Sequence, residues 1–168
     1  GVLLVDSQTV RLDGAVLPSD VQAFDAALRA GRLEEAVAEY RGAFLDGFHL
    51  DDAPELNRWI DAEAAARAGA CARALDRLAD ASEKAGSAHR AAEWLRKRIA
   101  LDPADSRVTV RLMHALSAIG DRDGALRAAR VYEGVVREHL ELEPDATVTQ
   151  LDETLRRTMT PTHAPAVD

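Results

Sequence analysis

Gly86 and Gly120 stand 34 positions apart, and Ala91 and Ala125 keep the same spacing. Each glycine ends an apolar run of helical period, and each alanine lies early in the next. Aligning "LDRLADASEKAGSAHRAAEWLRKRIALDP" with "VRLMHALSAIGDRDGALRAARVYEGVV" extends the match. Leu75, Leu78 and Ala79 take the first-helix role that Leu112, Met113 and Leu116 take in the next unit, and Leu95 and Ala129 fall four places after the small residue. A helical hairpin of this size cannot cover its own apolar face. Recurrence therefore constrains the chain to stacked hairpins that bury one another.

A 34-residue period with a small residue where two helices approach is that of the tetratricopeptide repeat (TPR). The expected fold is all-α, with TPR-like antiparallel helical hairpins in a right-handed array. Composition agrees: hydrophobic residues make up 47% of the 168, but aromatics only 4%, so alanine and leucine carry the core and favour close-packed helices. This length suits one domain with a real core.

Along the chain, residues 1–17 read differently. "VLLVDSQTVRLDGAVL" suits two or three short strands with tight turns, which are marginal by themselves and are expected to belong to a neighbouring domain. The lack of an initial methionine fits an excised fragment. Helical signals begin at Pro18, with Ser19 and Gln22 as a capping box and Val21, Phe24 and Leu28 at helical spacing. Gly31 ends that helix. The next is expected to place Leu33, Ala36, Val37, Tyr40 and Phe44 on one face. A long helix from Pro54 to about Lys84, with a bend at Gly69, would carry a stripe of Leu56, Trp59, Ile60, Ala66, Ala70, Ala74, Leu78 and Ala81. Gly86 stops it, and Ser87 caps a helix from Ala88 to Leu101. Two more helices reach about Leu140, and Thr147 with Gln150 opens a last one that turns Val148, Leu151 and Leu155 inward. Residues 18–158 thus form the helical domain, and 159–168 a flexible tail or linker.

The hairpin around Gly31 and Ala36 is a third unit, but Gly31 and Gly86 are 55 positions apart. The excess falls on "DGFHLDDAPELNRWIDAE", residues 46–63, which is expected to form a loop plus extra turns of the long helix.

The formal charge is −8, with arginines such as Arg67, Arg73 and Arg77 interleaved with Glu63, Asp76 and Asp80. Such a surface repels phosphate backbones, so this chain alone is not expected to bind DNA. Cys71 has no second cysteine to pair with and sits in "AGACARAL", where a small buried residue is wanted; this fits a reducing cytoplasm. No apolar run reaches membrane-spanning length, and the start lacks the pattern of a signal peptide.

Residues 46–63 hold the chain's densest chemistry: six carboxylates, His49, Phe48 and Trp59. An acid–base or metal-dependent hydrolase centred there would use Asp46, Asp51, Asp52, Glu55 and His49. The spacing matches no metal or calcium motif, and the acids read more simply as solvated or as capping the long helix. Phe48 and Trp59 are expected to pin the loop to the helices, or to form a hot spot for a partner, and Glu63 to bond to backbone or to an arginine. His89, His114 and His139 have no metal spacing, and "GDRDGAL" is a helix–helix turn, not a phosphate cradle. No catalytic residue, metal or cofactor is expected.

Several motifs in order give the chain a family resemblance. Tyr40, Gly42, Phe44, Leu45, Gly47, Trp59 and Glu63, then Leu112 and Met113, "GDRDGAL" and "LELEPDATVTQL", resemble the bacterial transcriptional activator domain (BTAD) of antibiotic-regulatory-protein (SARP)-type regulators. The resemblance spans about residues 18–158. It implies a preceding winged-helix DNA-binding domain, to whose end residues 1–17 are similar. It also implies a regulatory, protein-interaction or oligomerisation role in a DNA-binding activator. The implied partners are RNA polymerase, another domain of the same chain, or a second copy, with DNA read upstream. Asp46, Gly47, Phe48, His49, Trp59 and Glu63 are the candidate interaction residues. Ala64 departs from the family, which usually has arginine there. A TPR-like scaffold unrelated to transcription is the alternative binding role.

Overall fold

A computed structural model describes residues 3–5, 10–12 and 19–157 of the chain. The expected tail at 159–168 and much of the 1–17 segment lie outside these residues. The chain divides into two compact units, Gly1–Leu75 and Asp76–Asp168.

In the first unit, β1 (Leu3–Val5) pairs antiparallel with β2 (Val10–Leu12), with Leu4 opposite Arg11. Helix α1 (Asp20–Arg29) starts at the expected cap, where the Ser19 hydroxyl accepts the Gln22 N–H at 3.1 Å. Gly31, at φ 71°, reverses the chain into α2 (Leu33–Glu39), which packs on α1 around Phe24, Ala27, Ala36 and Val37. Expected to continue to Phe44, α2 instead stops at Glu39. Tyr40 turns to ψ 90° and brings its ring 5.8 Å from Phe24. Gly42, a poor helix former, follows, and off the helical path Tyr40 pairs with Phe24 and Phe44 with Trp59.

Helix α3 (Pro54–Lys84) has the expected bounds and runs unbroken through Gly69. Its buried face differs from the expected stripe. Ile60, Cys71, Ala74, Leu75, Ala79 and Ser82 are buried, whereas Leu56, Trp59, Ala66 and Ala81 are exposed. Alanines surround this helix, so its pattern has little contrast between faces.

The second unit contains the end of α3 with α4 (Ala88–Leu101), α5 (Ser106–Ala118), α6 (Arg122–Glu138) and α7 (Ala146–Arg157). Helix α5 packs on α4, α6 and α7, and α6 also packs on α7. The recurrence reappears in the backbone. Gly31, Gly86 and Gly120 all have φ between 69° and 82°. After each, the next N–H bonds to the carbonyl five residues back: Arg32 to Ala27, Ser87 to Ser82 and Asp121 to Leu116, each at 2.9 Å. This is the Schellman closure, which satisfies carbonyls left open at a helix end. Ala36, Ala91 and Ala125, five residues past the three glycines, have no exposed surface. At the 34-residue offset, Leu75 and Thr109, Ala79 and Met113, Ser82 and Leu116, and Leu95 and Ala129 are all buried.

Two expected caps are corrected. Ser87 occupies the start of α4, but its side chain makes no capping bond. Helix α7 opens before Thr147, with the Asp145 carboxylate accepting the Thr147 N–H at 2.8 Å. A charged acceptor two residues earlier suits the positive end of the helix better than a hydroxyl. Of the three residues expected inward, Val148 and Leu155 are buried and Leu151 is half-buried.

Ion pairs knit α3, α4 and α5 within this unit. The largely buried Arg98 meets Asp105 at 3.0 Å and Asp76 at 3.5 Å, while Arg111 meets Asp80 at 2.6 Å and Glu83 at 2.9 Å. Burial works against the Arg111 charge, but Glu83 and Asp80 outweigh it and hold its pKa above the ordinary value. Among the described residues, no helix is long and apolar enough to cross a membrane.

Candidate functional site

The stretch from Tyr40 to Arg67 builds one local arrangement in the first unit. Phe44 turns its ring edge-on to Trp59, with centroids 5.7 Å apart and planes at 86°. The Arg67 guanidinium lies 4.9 Å from the Phe44 ring centre. Arg67 also pairs with Glu63 one turn before it on α3 and lies 3.9 Å from Asp25 on α1. Its Nε is buried with no hydrogen-bond partner among the described residues, and the face of Phe44 supplies favourable electrostatics there instead. Beside this group, burial raises the pKa of the Tyr40 phenol, and Cys71 adds to the shift.

After Phe44 the backbone takes an unusual path. Leu45 has φ 51° and Gly47 φ 75°, the first being a strained conformation for a residue with a side chain. The turn closes with Asp46 N–H to Ala43 at 3.3 Å and Phe48 N–H to Leu45 at 2.9 Å. Asn57 then clamps the loop: its Nδ2 donates to the Leu50 carbonyl at 2.7 Å, and its Oδ1 accepts the Leu50 N–H at 3.2 Å. The held loop leaves Leu45, Phe48 and Leu50 exposed, and Leu56 and Trp59 at the start of α3 are exposed as well. Phe48 is 48% exposed and Trp59 50%, values unusual for large apolar side chains.

This corrects the expectation that Phe48 and Trp59 both pin the loop. Phe44 and Asn57 do the pinning, Trp59 gives one face to Phe44, and Phe48 points its area to solvent. Glu63 has an arginine partner, as expected. Asp46, His49, Asp51, Asp52 and Glu55 are exposed, and His49 lies 3.8 Å from Asp51. Of the two readings of these acids, solvated or capping, Asp51 and Asp52 fit the first; Ala53 precedes α3, and its carbonyl accepts the Asn57 N–H. Among the described residues, no three His, Cys, Asp or Glu side chains gather to hold a metal ion. The cleft nearest this arrangement, lined by Phe24, Tyr40, Phe44 and Arg67 among others, holds about 190 Å³, small for an organic ligand. What the site offers is a set of exposed apolar side chains on a clamped loop and the helix start after it, interspersed along the chain with exposed carboxylates.

Residues 11–156 match the family model described as the bacterial transcriptional activator domain. The chain belongs to this family. No curated protein matches it. BTAD is a regulatory family, not a family of enzymes, and it sets the chain in transcriptional activation. In this BTAD, Glu63 finds its cation at Arg67, three positions beyond Ala64, where the resemblance led to an arginine.

Sequence reasoning did not single out Asn57 or Leu50, and it named Leu45 only as a motif residue of the family resemblance. Asn57 carried a signal: asparagine is a poor helix former that favours bonds to nearby backbone, and it stands in the first turn of α3. The left-handed Leu45 carried none.

Proposed function

We propose that this BTAD is the protein-contact module of a bacterial DNA-binding activator, and that the surface from Leu45 to Trp59 is its contact face. Asp46, Gly47, Phe48, His49 and Trp59 belong to that face, and Glu63 braces it through Arg67. The helix pairs of residues 18–158 act as a TPR-like right-handed scaffold, a reading favoured by the shared glycine turns and the 34-residue recurrence of buried positions. DNA is read by a winged-helix domain to whose end residues 1–17 belong, because a chain of charge −8 is a poor phosphate binder. The partner is RNA polymerase, another domain of the regulator or a second copy, in a cytoplasmic setting.

One observation carries this reading. Large apolar side chains are held out to solvent by a strained turn and a two-bond asparagine clamp. A fold retains such an arrangement when an order-requiring contact benefits from it, because a preorganised face loses less entropy on binding.

The test is promoter activation by the full regulator carrying Phe48→Ser and Trp59→Ser together. Activation should fall about tenfold or more while promoter binding stays unchanged. Undiminished activation would remove this face from the mechanism. A full-length protein with no promoter binding would overturn the regulator reading.

A further inference from the structure

The border of the same surface points to the chemistry of its partner. Between residues 45 and 59 the chain carries Asp46, Asp51, Asp52 and Glu55 against Arg58 and a histidine. Several carboxylates elsewhere are engaged: Asp105 and Asp121 cap helices while meeting arginines, and Asp80, Glu83 and Asp152 each hold an arginine within 3 Å. At the border, the ion pairs among the described residues are His49 with Asp51 at 3.8 Å and Arg58 with Glu55 at 4.0 Å. Both are surface contacts of little energetic value. Among the described residues Asp46 and Asp52 make no ion pair, so their charge faces solvent.

Resting on the contact-face reading, we propose that the occupant is a basic amphipathic segment of a partner protein. Its apolar side would cover Phe48, Leu50 and Trp59, and its lysines or arginines would meet Asp46, Asp51 and Asp52. The partner's cations would find carboxylates held by at most the weak His49 contact, so the match favours both encounter and register. A second copy fits less well. A two-fold contact through this surface would set acids against acids. Nucleic acid is repelled for the same reason.

Trp59 supplies the readout, since Trp94, the other tryptophan, is 8% exposed and responds little to a surface ligand. The probe is a synthetic helical leucine–lysine peptide titrated into the purified chain, with a leucine–glutamate peptide of the same spacing beside it. The leucine–lysine peptide should shift tryptophan emission to the blue, bind more weakly as salt rises, and lose about tenfold in affinity with Phe48→Ser. Asp51→Asn with Asp52→Asn should weaken binding and flatten its salt dependence. The leucine–glutamate peptide should not bind. Equal binding of the two peptides, or binding indifferent to Phe48→Ser, would overturn the proposal. So would concentration-dependent self-association of the chain that Phe48→Ser abolishes, which would make the occupant a second copy. If promoter activation needs Phe48 and Trp59 but the peptides bind without regard to charge, the basic partner falls and the contact face stands.

Discussion

The hydroxyl of Tyr132, buried on α6, accepts the backbone N–H of Asp145 at 3.1 Å. That bond fixes the residue from which α7 starts, while the Asp145 carboxylate receives the Ser106 hydroxyl of α5 at 3.3 Å. Three helices therefore meet at one aspartate. Tyr132→Phe keeps the packed ring and removes the acceptor, leaving a half-buried N–H without its partner. The expected cost is about 1 kcal/mol in urea-induced unfolding, with the denaturant slope unchanged.

Asp145 also makes stability depend on acid. The Thr147 backbone N–H foremost, then the Thr147 hydroxyl and Ser106, hold its pKa below the ordinary value of 3.8. The folded chain binds this proton less tightly than the unfolded one. The contribution is thus complete above pH 3.8 and lost as pH falls through the folded value below it. Asp145→Asn should lower the melting temperature at neutral pH, and the gap to the parent should close as acid is added below that point. A gap that stays constant with pH would show that ionisation of Asp145 does not matter.

Two glycines of α6 should respond differently to alanine. Gly134 has no neighbour within 4 Å of an added Cβ, so Gly134→Ala should stabilise the chain by about 0.5–1 kcal/mol through helix propensity alone. At Gly124 the same atom would sit 2.3 Å from Oδ2 of Asp121, whose other carboxylate oxygen caps the helix through the Gly124 N–H at 2.9 Å. Asp121 also meets Arg96 at 3.2 Å and has little freedom to withdraw. Gly124→Ala should therefore forfeit the cap, worth roughly 1 kcal/mol, and gain nothing net. Thermal unfolding of the two variants side by side checks both signs.

Helix bounds were legible wherever glycine, proline or a capping residue punctuates the chain. Gly31, Gly86, Gly120 and Pro54 mark their boundaries in the sequence as in the structure. The register of α3 was not, because alanine is tolerated on every face and leaves burial to be decided by neighbours. The early end of α2 was also hidden: Tyr40 and Phe44 continue a helical spacing, and only their distant partners Phe24 and Trp59 draw them out of it. In the candidate site the residue types were visible but not their roles. Exposure of Phe48 depends on Leu45 adopting a backbone conformation that leucine rarely takes, which no local preference announces.

Asn57 offers the sharpest test of whether order in that loop matters. Its amide makes both bonds to Leu50 across seven residues, from a half-buried position at the start of α3. Asn57→Ala improves helix propensity in the first turn of α3 and removes only these bonds, so global stability should change by less than about 1 kcal/mol. Locally the effect should be large. Hydrogen exchange at the Leu50 amide should accelerate about tenfold or more while amides around Leu95 and Met113 keep their rates. Promoter activation by the full regulator should fall as well, although no apolar contact atom has been removed. Faster exchange with full activation would mean that the exposed side chains act without preorganisation. Unchanged exchange would assign the loop's order to Phe44 and the Leu45 turn instead.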